Sequence, residues 1–483
     1  MSDLTPRKPK TRVMLWSDTV LDIQDKILDL NLSEPLYIIG GAVRDAFLHL
    51  PVKDIDLATP TDSIKIARKI ANAFKGDIFV MDDERGVARV LIDTDEGKLT
   101  LDVAAFRGDD LMADILGRDF TVNAMAVDVL GDLQLLIDPL NGEADATQKV
   151  IRRCSPISIE EDPIRALRAV RQSTQLKFRI EPETLKDIRA HGMKLLDTSP
   201  ERIRDEFFKI LALHRSTPAI KVTHALGLLQ GILPEITSLE GKKLPEPHIF
   251  DGWKQAIETV ENLVGIMDTI SYRRSDSTAA SFAYGMLAMQ LDRFRKELNE
   301  HLAMEYPNER KHTAIMVLAG LLHRVDNAPE VLAQIADDLR LSNPEKKRLV
   351  AMVDYFEMTQ TLDYNAPLDV HRFWYPLDDK GIDAILLGLA DYLATYGNEL
   401  NQDDWLIQVE RALMLLFAYF KQQETVVSPS PFLNGSDLMS ELDLEGGRII
   451  GDLLTHLREA QVLGEINSRQ EALEAAKQYL ADL

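Results

Sequence analysis

The sequence predicts an α+β head followed by an all-helical remainder, and three observations predict it. Short apolar or alternating segments flanked by Gly and Asp crowd the first third of the chain. From about Ile159 onward almost every segment carries helical period. The chain has 483 residues, too many for one core, so several domains are expected.

Taken in order, strands are predicted over 36–39, 54–58, 77–81, 87–92 and 99–106, with an amphipathic helix over 63–74 among them. Residues 123–129 and 134–137 read as a closing hairpin around Gly131-Asp132. The sheet should be small and largely antiparallel. After Asp138-Pro139-Leu140-Asn141-Gly142 the pattern turns helical, with good helices over 164–172, 182–191, 200–213 and 217–229. Pro163 suits a first helical turn, where its missing N–H is not needed, and Glu160, Glu161 and Asp162 complement the positive end of the helix. Ser199-Pro200-Glu201 opens a later helix in the same way. The polar, Pro-containing 239–247 and the Ser/Pro stretch 426–431 are candidate boundaries.

Composition narrows the class. Hydrophobic residues at 45% and charged residues at 28% are ordinary for a soluble globular chain. A formal net charge of −23 argues against a surface basic all over, built for nonspecific nucleic-acid binding. It leaves room for a local basic groove, and 149–221 is net basic. Cys154 is the only cysteine, which excludes an intramolecular disulfide and a cysteine-rich zinc site. The first twelve residues are polar and basic without the apolar core of a signal peptide, and no apolar run is long enough for a bilayer. The reading is a cytoplasmic protein with no membrane partner.

The chemistry starts at Asp54-Ile55-Asp56. On a strand, residues i and i+2 share a face. Two carboxylates there supply hard oxygen ligands for Mg²⁺, which also takes substrate phosphates. Just upstream, Tyr37-Ile38-Ile39 breaks at Gly40-Gly41 and runs into a helix-like segment. Glycines let backbone approach a phosphate, and the N–H groups of a helix start face an anion. A phosphate cradle feeding a metal-binding Asp-x-Asp points to nucleotidyl transfer from an NTP.

Four ordered motifs then carry a resemblance. They are Gly40-Gly41-Ala42-Val43-Arg44-Asp45 with Asp54-Ile55-Asp56, Arg118-Asp119-Phe120-Thr121-Val122-Asn123-Ala124-Met125, Asp138-Pro139-Leu140-Asn141-Gly142, and Glu161-Asp162-Pro163-Ile164-Arg165-Ala166-Leu167-Arg168-Ala169-Val170-Arg171. Ser199-Pro200-Glu201-Arg202-Ile203 is a weaker fifth. The set resembles the tRNA nucleotidyltransferase and poly(A) polymerase family, in its bacterial and eukaryotic (class II) form. The resemblance implies a polymerase-β-like nucleotidyltransferase head (1–148), an all-α neck (149–215), a degenerate HD-like helical body (216–425) and a C-terminal helical tail (426–483).

It also implies roles. Asp54 and Asp56 would bind two Mg²⁺ ions, one lowering the pKa of the tRNA 3′-hydroxyl and the other stabilising pyrophosphate as it leaves. Asp102 falls where the wider superfamily often has a third catalytic carboxylate. The Gly41 backbone and Arg44 would hold the triphosphate. Arg118 and Asp119 would sit near sugar and phosphates, with Asp119 reading the ribose 2′-hydroxyl. The family usually has a second Arg before Arg118, and Gly117 stands there, so one contact is expected to be missing. Asp162 and Arg165, three apart and with Arg168 and Arg171 continuing the stripe, would hydrogen-bond the base edge and select CTP and ATP. Arg202 and Arg204 are candidate RNA contacts.

Leu321-Leu322-His323-Arg324 resembles the Leu-Leu-His-Asp signature of HD phosphohydrolases. Arg324 occupies the place of a metal-binding Asp, and a guanidinium cannot be that ligand. The second His expected around His248 and Trp253-Lys254-Gln255 is also lost. The implied activity is addition of C and A to the tRNA 3′ end from CTP and ATP without a nucleic-acid template, with no obligatory protein partner. The alternatives are CC-only addition, A-only addition, poly(A) synthesis, or a noncatalytic RNA-binding relative. CC-only addition draws on Gly108-Asp109-Asp110-Leu111-Met112, which is short where many CCA-adding relatives carry a longer loop.

Overall fold

Strand β2 (Asp54–Thr59) lies inside a seven-stranded sheet of the computed structural model, which describes residues 4–52, 54–94, 97–272 and 281–482. The other strands are β1 (Tyr37–Ile39), β3 (Asp77–Asp82), β4 (Val87–Thr94), β5 (Gly97–Ala105), β6 (Ala126–Asp128) and β7 (Leu136–Ile137), in the order β3-β4-β5-β2-β1-β6-β7. Only β2 and β5 run parallel; every other neighbouring pair is antiparallel. The strand pattern explains the layering. Ile55 and Leu57 of β2 and Leu101 and Val103 of β5 are buried, so the alternate positions Asp54, Asp56 and Asp102 share the other face.

Helices α1 (Asp18–Asp29) and α2 (Gly41–Leu48) precede helix α3 (Ser63–Phe74), which forms over the predicted residues. Asp62 caps it by accepting from the Lys65 N–H, and Lys75 ends it in the left-handed region. Its buried Ile66, Ala67, Ile70 and Ala71 pack on β4 and β5. Four other segments differ from expectation. The hairpin strand β6 begins only at Ala126, because Thr121–Asn123 is a 3₁₀ turn. Residues 217–229 are interrupted: helices Ser216–Ala225 and Leu228–Ile232 flank Gly227, whose φ of +77° breaks the helix. Glu160 and Glu161 belong to a separate turn of helix, Ser158–Glu161, and the next helix starts only at Arg165, because Asp162 is extended at φ −139°, ψ 90°. Within 108–112, Asp110 already caps helix α4 (Leu111–Leu116), accepting from the Ala113 N–H at 2.8 Å.

The described residues divide into two compact units, Met1–Glu206 with Lys221–Gly231 and Phe207–Ile220 with Ile232–Leu483. The first carries the sheet and the helices that follow it. The second is helical apart from the short pair Glu305–Tyr306 and Arg310–Lys311. Its last helices, Gly435–Leu442, Arg448–Val462 and Arg469–Ala481, share a small core of their own around Leu438, Leu453 and Ala476. Among the described residues no helix is long and apolar enough to cross a membrane.

Candidate active site

Three carboxylates meet on one face of the sheet. Asp54 is exposed at the start of β2 and Asp56 is half-buried two residues on. The parallel β2–β5 register sets Asp102 directly beside Asp56. Burial pushes the Asp56 carboxyl up, and the charges of Asp102 and Asp54 add to the shift while Arg118 opposes it. A face that destabilises its own negative charge suits a cation. Gly40 leaves it space: a Cβ there would stand 2.9 Å from Asp56 Oδ2. Hard oxygens beside an open backbone fit Mg²⁺. Asp102 is not a free ligand, because Arg89 of the adjacent strand donates to both its oxygens at 2.8 and 2.9 Å.

The Gly-Gly turn does what its sequence promised. Gly40 has φ +92°, a conformation that favours glycine, and it turns β1 into helix α2 (Gly41–Leu48). Arg44 folds back along the first turn, with Nη2 3.4 Å from where a Gly41 Cβ would be. It donates to Asp45 at 2.8 Å and to Asn123 Oδ1 at 2.6 Å. Asn123 passes the order on, donating to Asp119 at 3.0 Å and to Gln172 at 2.9 Å. Asp119 is buried, which works against its charge, but Arg168, the Asn123 amide and the Phe120 N–H outweigh burial and hold its pKa below the usual value. Arg118 donates to the buried Asp114 at 2.9 Å, and its Nη1 reaches within 3.3 Å of the Gly40 Cβ position.

The cationic stripe is differently placed from a simple helical face. Arg165 is buried, donating to Ser158 Oγ at 2.8 Å and to the Gly117 carbonyl at 2.6 Å. Its Nε lies 3.9 Å from Asp162 Oδ2. Asp162 is instead forked by Arg202 at 3.0 and 2.9 Å. Arg168 stands between Asp119 at 3.3 Å and Glu206 at 3.7 Å, and Arg171 donates to Glu206. Arg204 is buried and pairs with Asp205 at 2.8 Å, so it does not offer a surface charge. All these residues lie within the first unit.

One contributor had no motif behind it. Arg107, just after β5, donates its backbone N–H to Asp114 Oδ1 at 3.1 Å and its Nη1 to the Gly117 carbonyl at 3.1 Å. Arg107, Arg118 and Arg165 thus share one carboxylate and one carbonyl. The only sequence signal was the missing arginine at Gly117.

In the second unit His323, Arg324 and Gln255 do converge, on Asp391. His323 Nε2 stands 2.9 Å from Asp391 Oδ1, Gln255 donates to the same oxygen at 2.9 Å, and Arg324 donates to Oδ2 at 2.6 Å. Asp391 is the partner that sequence reading did not name. Burial opposes its charge, and His323, Arg324 and Gln255 overcome it, so the carboxyl stays ionised. A guanidinium occupies the carboxylate as a metal would. Eight positions earlier on the same helix, Lys380–Tyr396, a second buried carboxylate is held in the same manner. Asp383 bonds His301 at 2.7 Å, His312 at 2.8 Å and Arg348 at 2.6 Å.

Comparison with known proteins covers most of the chain. Residues 36–152 match the family described as the poly A polymerase head domain, 177–240 the probable RNA and SrmB-binding site of polymerase A, and 310–476 the putative tRNA nucleotidyltransferase domain 2. The CC-adding tRNA nucleotidyltransferase of Geobacter sulfurreducens is 30% identical over 92% of this chain and 91% of its own. The A-adding tRNA nucleotidyltransferase of Deinococcus radiodurans is 30% identical over 90% of this chain and 93% of its own. Among solved structures, a CCA-adding enzyme in complex with ATP superposes with a TM-score of 0.63 at 21% identity, covering 99% of both chains. The Thermotoga maritima CCA-adding enzyme complexed with tRNA gives 0.58 at 20% identity, also over 99% of both chains. These structures share the fold.

Proposed function

The chain belongs to the tRNA nucleotidyltransferase and poly(A) polymerase family, and within it we propose that it builds the CCA end of tRNA, transferring nucleotides from CTP and ATP to the 3′-hydroxyl. The observation that carries this reading is the meeting of opposite charges around Gly40. Asp56 Oδ2 and Arg118 Nη1 stand 2.9 and 3.3 Å from the same point, the place where a Gly40 Cβ would be. A polyphosphate and its counter-ion need such a neighbourhood.

Asp54 and Asp56 would hold Mg²⁺, with Asp102 beside them once released by Arg89. The metal, when bound, supplies a lowered pKa for the attacking hydroxyl and charge neutralisation for pyrophosphate. The chain's own residues do the rest. The N–H groups at the start of α2 and the guanidinium of Arg118 hold phosphate oxygens. Arg44 is aimed by Asn123, and Asn123 also fixes Asp119, which then accepts a hydrogen bond from the ribose. Asp162 and Arg165 read the base edge. Arg165 is fixed by Ser158 and Gly117, while Asp162 must exchange Arg202 for the nucleotide.

A second reading, CC-only addition, is favoured by one observation. The connection between β5 and α4 is shorter than its sequence indicated, since Leu111 and Met112 already belong to α4. Gly108 is packed so tightly that a Cβ there would stand 2.6 Å from the Ala113 Cβ. Such a segment is a poor lever for re-aiming the base-reading pair between C and A. The deciding experiment supplies tRNA transcripts ending before C, after C and after CC, with CTP and ATP separately and together. C addition to the first two transcripts together with efficient A addition to the CC end establishes the full CCA reading, and A addition to the CC end alone overturns both. C addition that halts at CC establishes the partial one. No extension of any transcript overturns both.

A further inference from the structure

We propose that Arg107 is a second guanidinium of the triphosphate site, reaching from the end of β5 into the space that Gly117 leaves. The inference rests on the nucleotide-transfer reading and assigns a specific part of its substrate, the β- and γ-phosphates, to a residue outside the family motifs quoted above.

The geometry is local. Gly117 has no side chain, and the Arg107 Cδ lies 3.5 Å from where its Cβ would be. A larger residue at 117 would compete with Arg107 for this place. The Arg107 Nη1 is steadied by the Gly117 carbonyl, which also accepts from Arg165. Its backbone N–H is steadied by Asp114, whose other oxygen holds Arg118. Asp114 therefore fixes the two arginines with one buried carboxylate. Desolvation and the charges of Arg118 and Arg165 lower the Arg107 pKa, so the three cations sense one another. The charges of Asp114 and Asp119 offset part of this, and the Arg107 side chain's own hydrogen bond goes to the neutral Gly117 carbonyl. The charge is felt at Asp56, whose carboxyl it pulls down.

A guanidinium oriented by a carbonyl and crowded by two other cations is a preorganised donor for a polyanion. The base-reading group Asp162 and the ribose group Asp119 are served by other residues. Arg107 should therefore act on phosphate and be indifferent to the base.

The test uses the full-length protein and measures binding of CTP, ATP, CMP and inorganic tripolyphosphate by calorimetry, together with extension of tRNA. Arg107→Ala should weaken CTP, ATP and tripolyphosphate alike by about tenfold or more, the scale of one charge-assisted contact. CMP binding, discrimination among bases and the midpoint of thermal unfolding should stay near wild type. Arg107→Lys should recover part of the loss, since it restores charge without the fork. The proposal is overturned if Arg107→Ala binds tripolyphosphate as the wild type does. It is also overturned if CMP weakens as much as CTP. Should the alanine variant fold poorly, Arg107→Gln and Arg107→Lys are read in the same assay, and equal tripolyphosphate affinity in both overturns it. A wild-type protein that extends no tRNA defeats the nucleotide-transfer reading instead, which separates the two failures.

Discussion

A single carboxylate shows how this site trades stability for chemistry. Asp56 has its folded pKa raised above the unfolded value of 3.8, chiefly by burial and then by Asp102 and Asp54. A raised carboxyl favours folding below its unfolded pKa, and that contribution is lost as pH rises through the folded value. At neutral pH the ionised Asp56 is therefore a liability in the metal-free fold. Asp56→Asn should raise the melting temperature in metal-free buffer, and Mg²⁺ should stabilise the wild type more than the variant. Incorporation should fall by more than ~100-fold, since even outer-shell partners of a metal cost 10–100-fold. A variant that melts lower than wild type without metal would refute the electrostatic account. Base choice is also a residue-scale matter. Asp162→Ala removes one partner of a hydrogen-bonded reading edge, a cost of about 1–3 kcal/mol, and should relax discrimination against UTP and GTP. Equal slowing of all four nucleotides would assign Asp162 to the Arg202 pair alone.

At the level of elements, the helix Lys380–Tyr396 carries a buried carboxylate, Asp391, that a guanidinium balances. Arg324 and His323 hold Asp391 ionised within the core, and its contribution to stability is fully present above the unfolded value of 3.8 and lost as pH falls through the depressed folded value. Arg324→Ala leaves that buried carboxylate without its cation and should cost about 3–5 kcal/mol of stability, read by denaturant unfolding. An unchanged midpoint would make the pair ornamental. Gln255→His with Arg324→Asp would set two imidazoles and two carboxylates at this place, so calorimetry should register one Mn²⁺ site more in this variant than in the wild type. Much of this was legible beforehand, and the reason lies in period and spacing. Strand alternation placed Ile55 and Leu57 inward and the aspartates outward, and Gly40-Gly41 announced its turn. What the sequence concealed depends on through-space exchange. Arg107 stands in for a residue absent at 117, Asp391 lies far along the chain from His323, and Asp162 leaves the helix because Pro163 follows it, disfavouring helical backbone at the residue before.

For the whole molecule the question is where an acidic protein accepts a polyanion. The formal net charge is −23, yet Lys177, Arg179, Lys186 and Arg189 are exposed within the segment matched to a probable RNA-binding region. Their placement differs from that of Arg204, whose charge is spent on Asp205 inside the fold. Each exposed cation that meets a phosphate releases a counter-ion, so it enters the salt dependence of binding as a countable quantity. Neutralising Lys177, Arg179 and Arg189 together should weaken tRNA binding and flatten the slope of log K against log salt by roughly 0.7–0.9 for each phosphate no longer neutralised. Arg204→Ala should do neither, and should lower the melting temperature instead. The comparison is made by titrating tRNA at several salt concentrations. An unchanged slope in the triple variant would move the RNA surface elsewhere, with helices Arg448–Val462 and Arg469–Ala481 next to be tested. A flattened slope, with C addition at saturating tRNA unaffected, would separate holding the tRNA from the chemistry at its 3′ end.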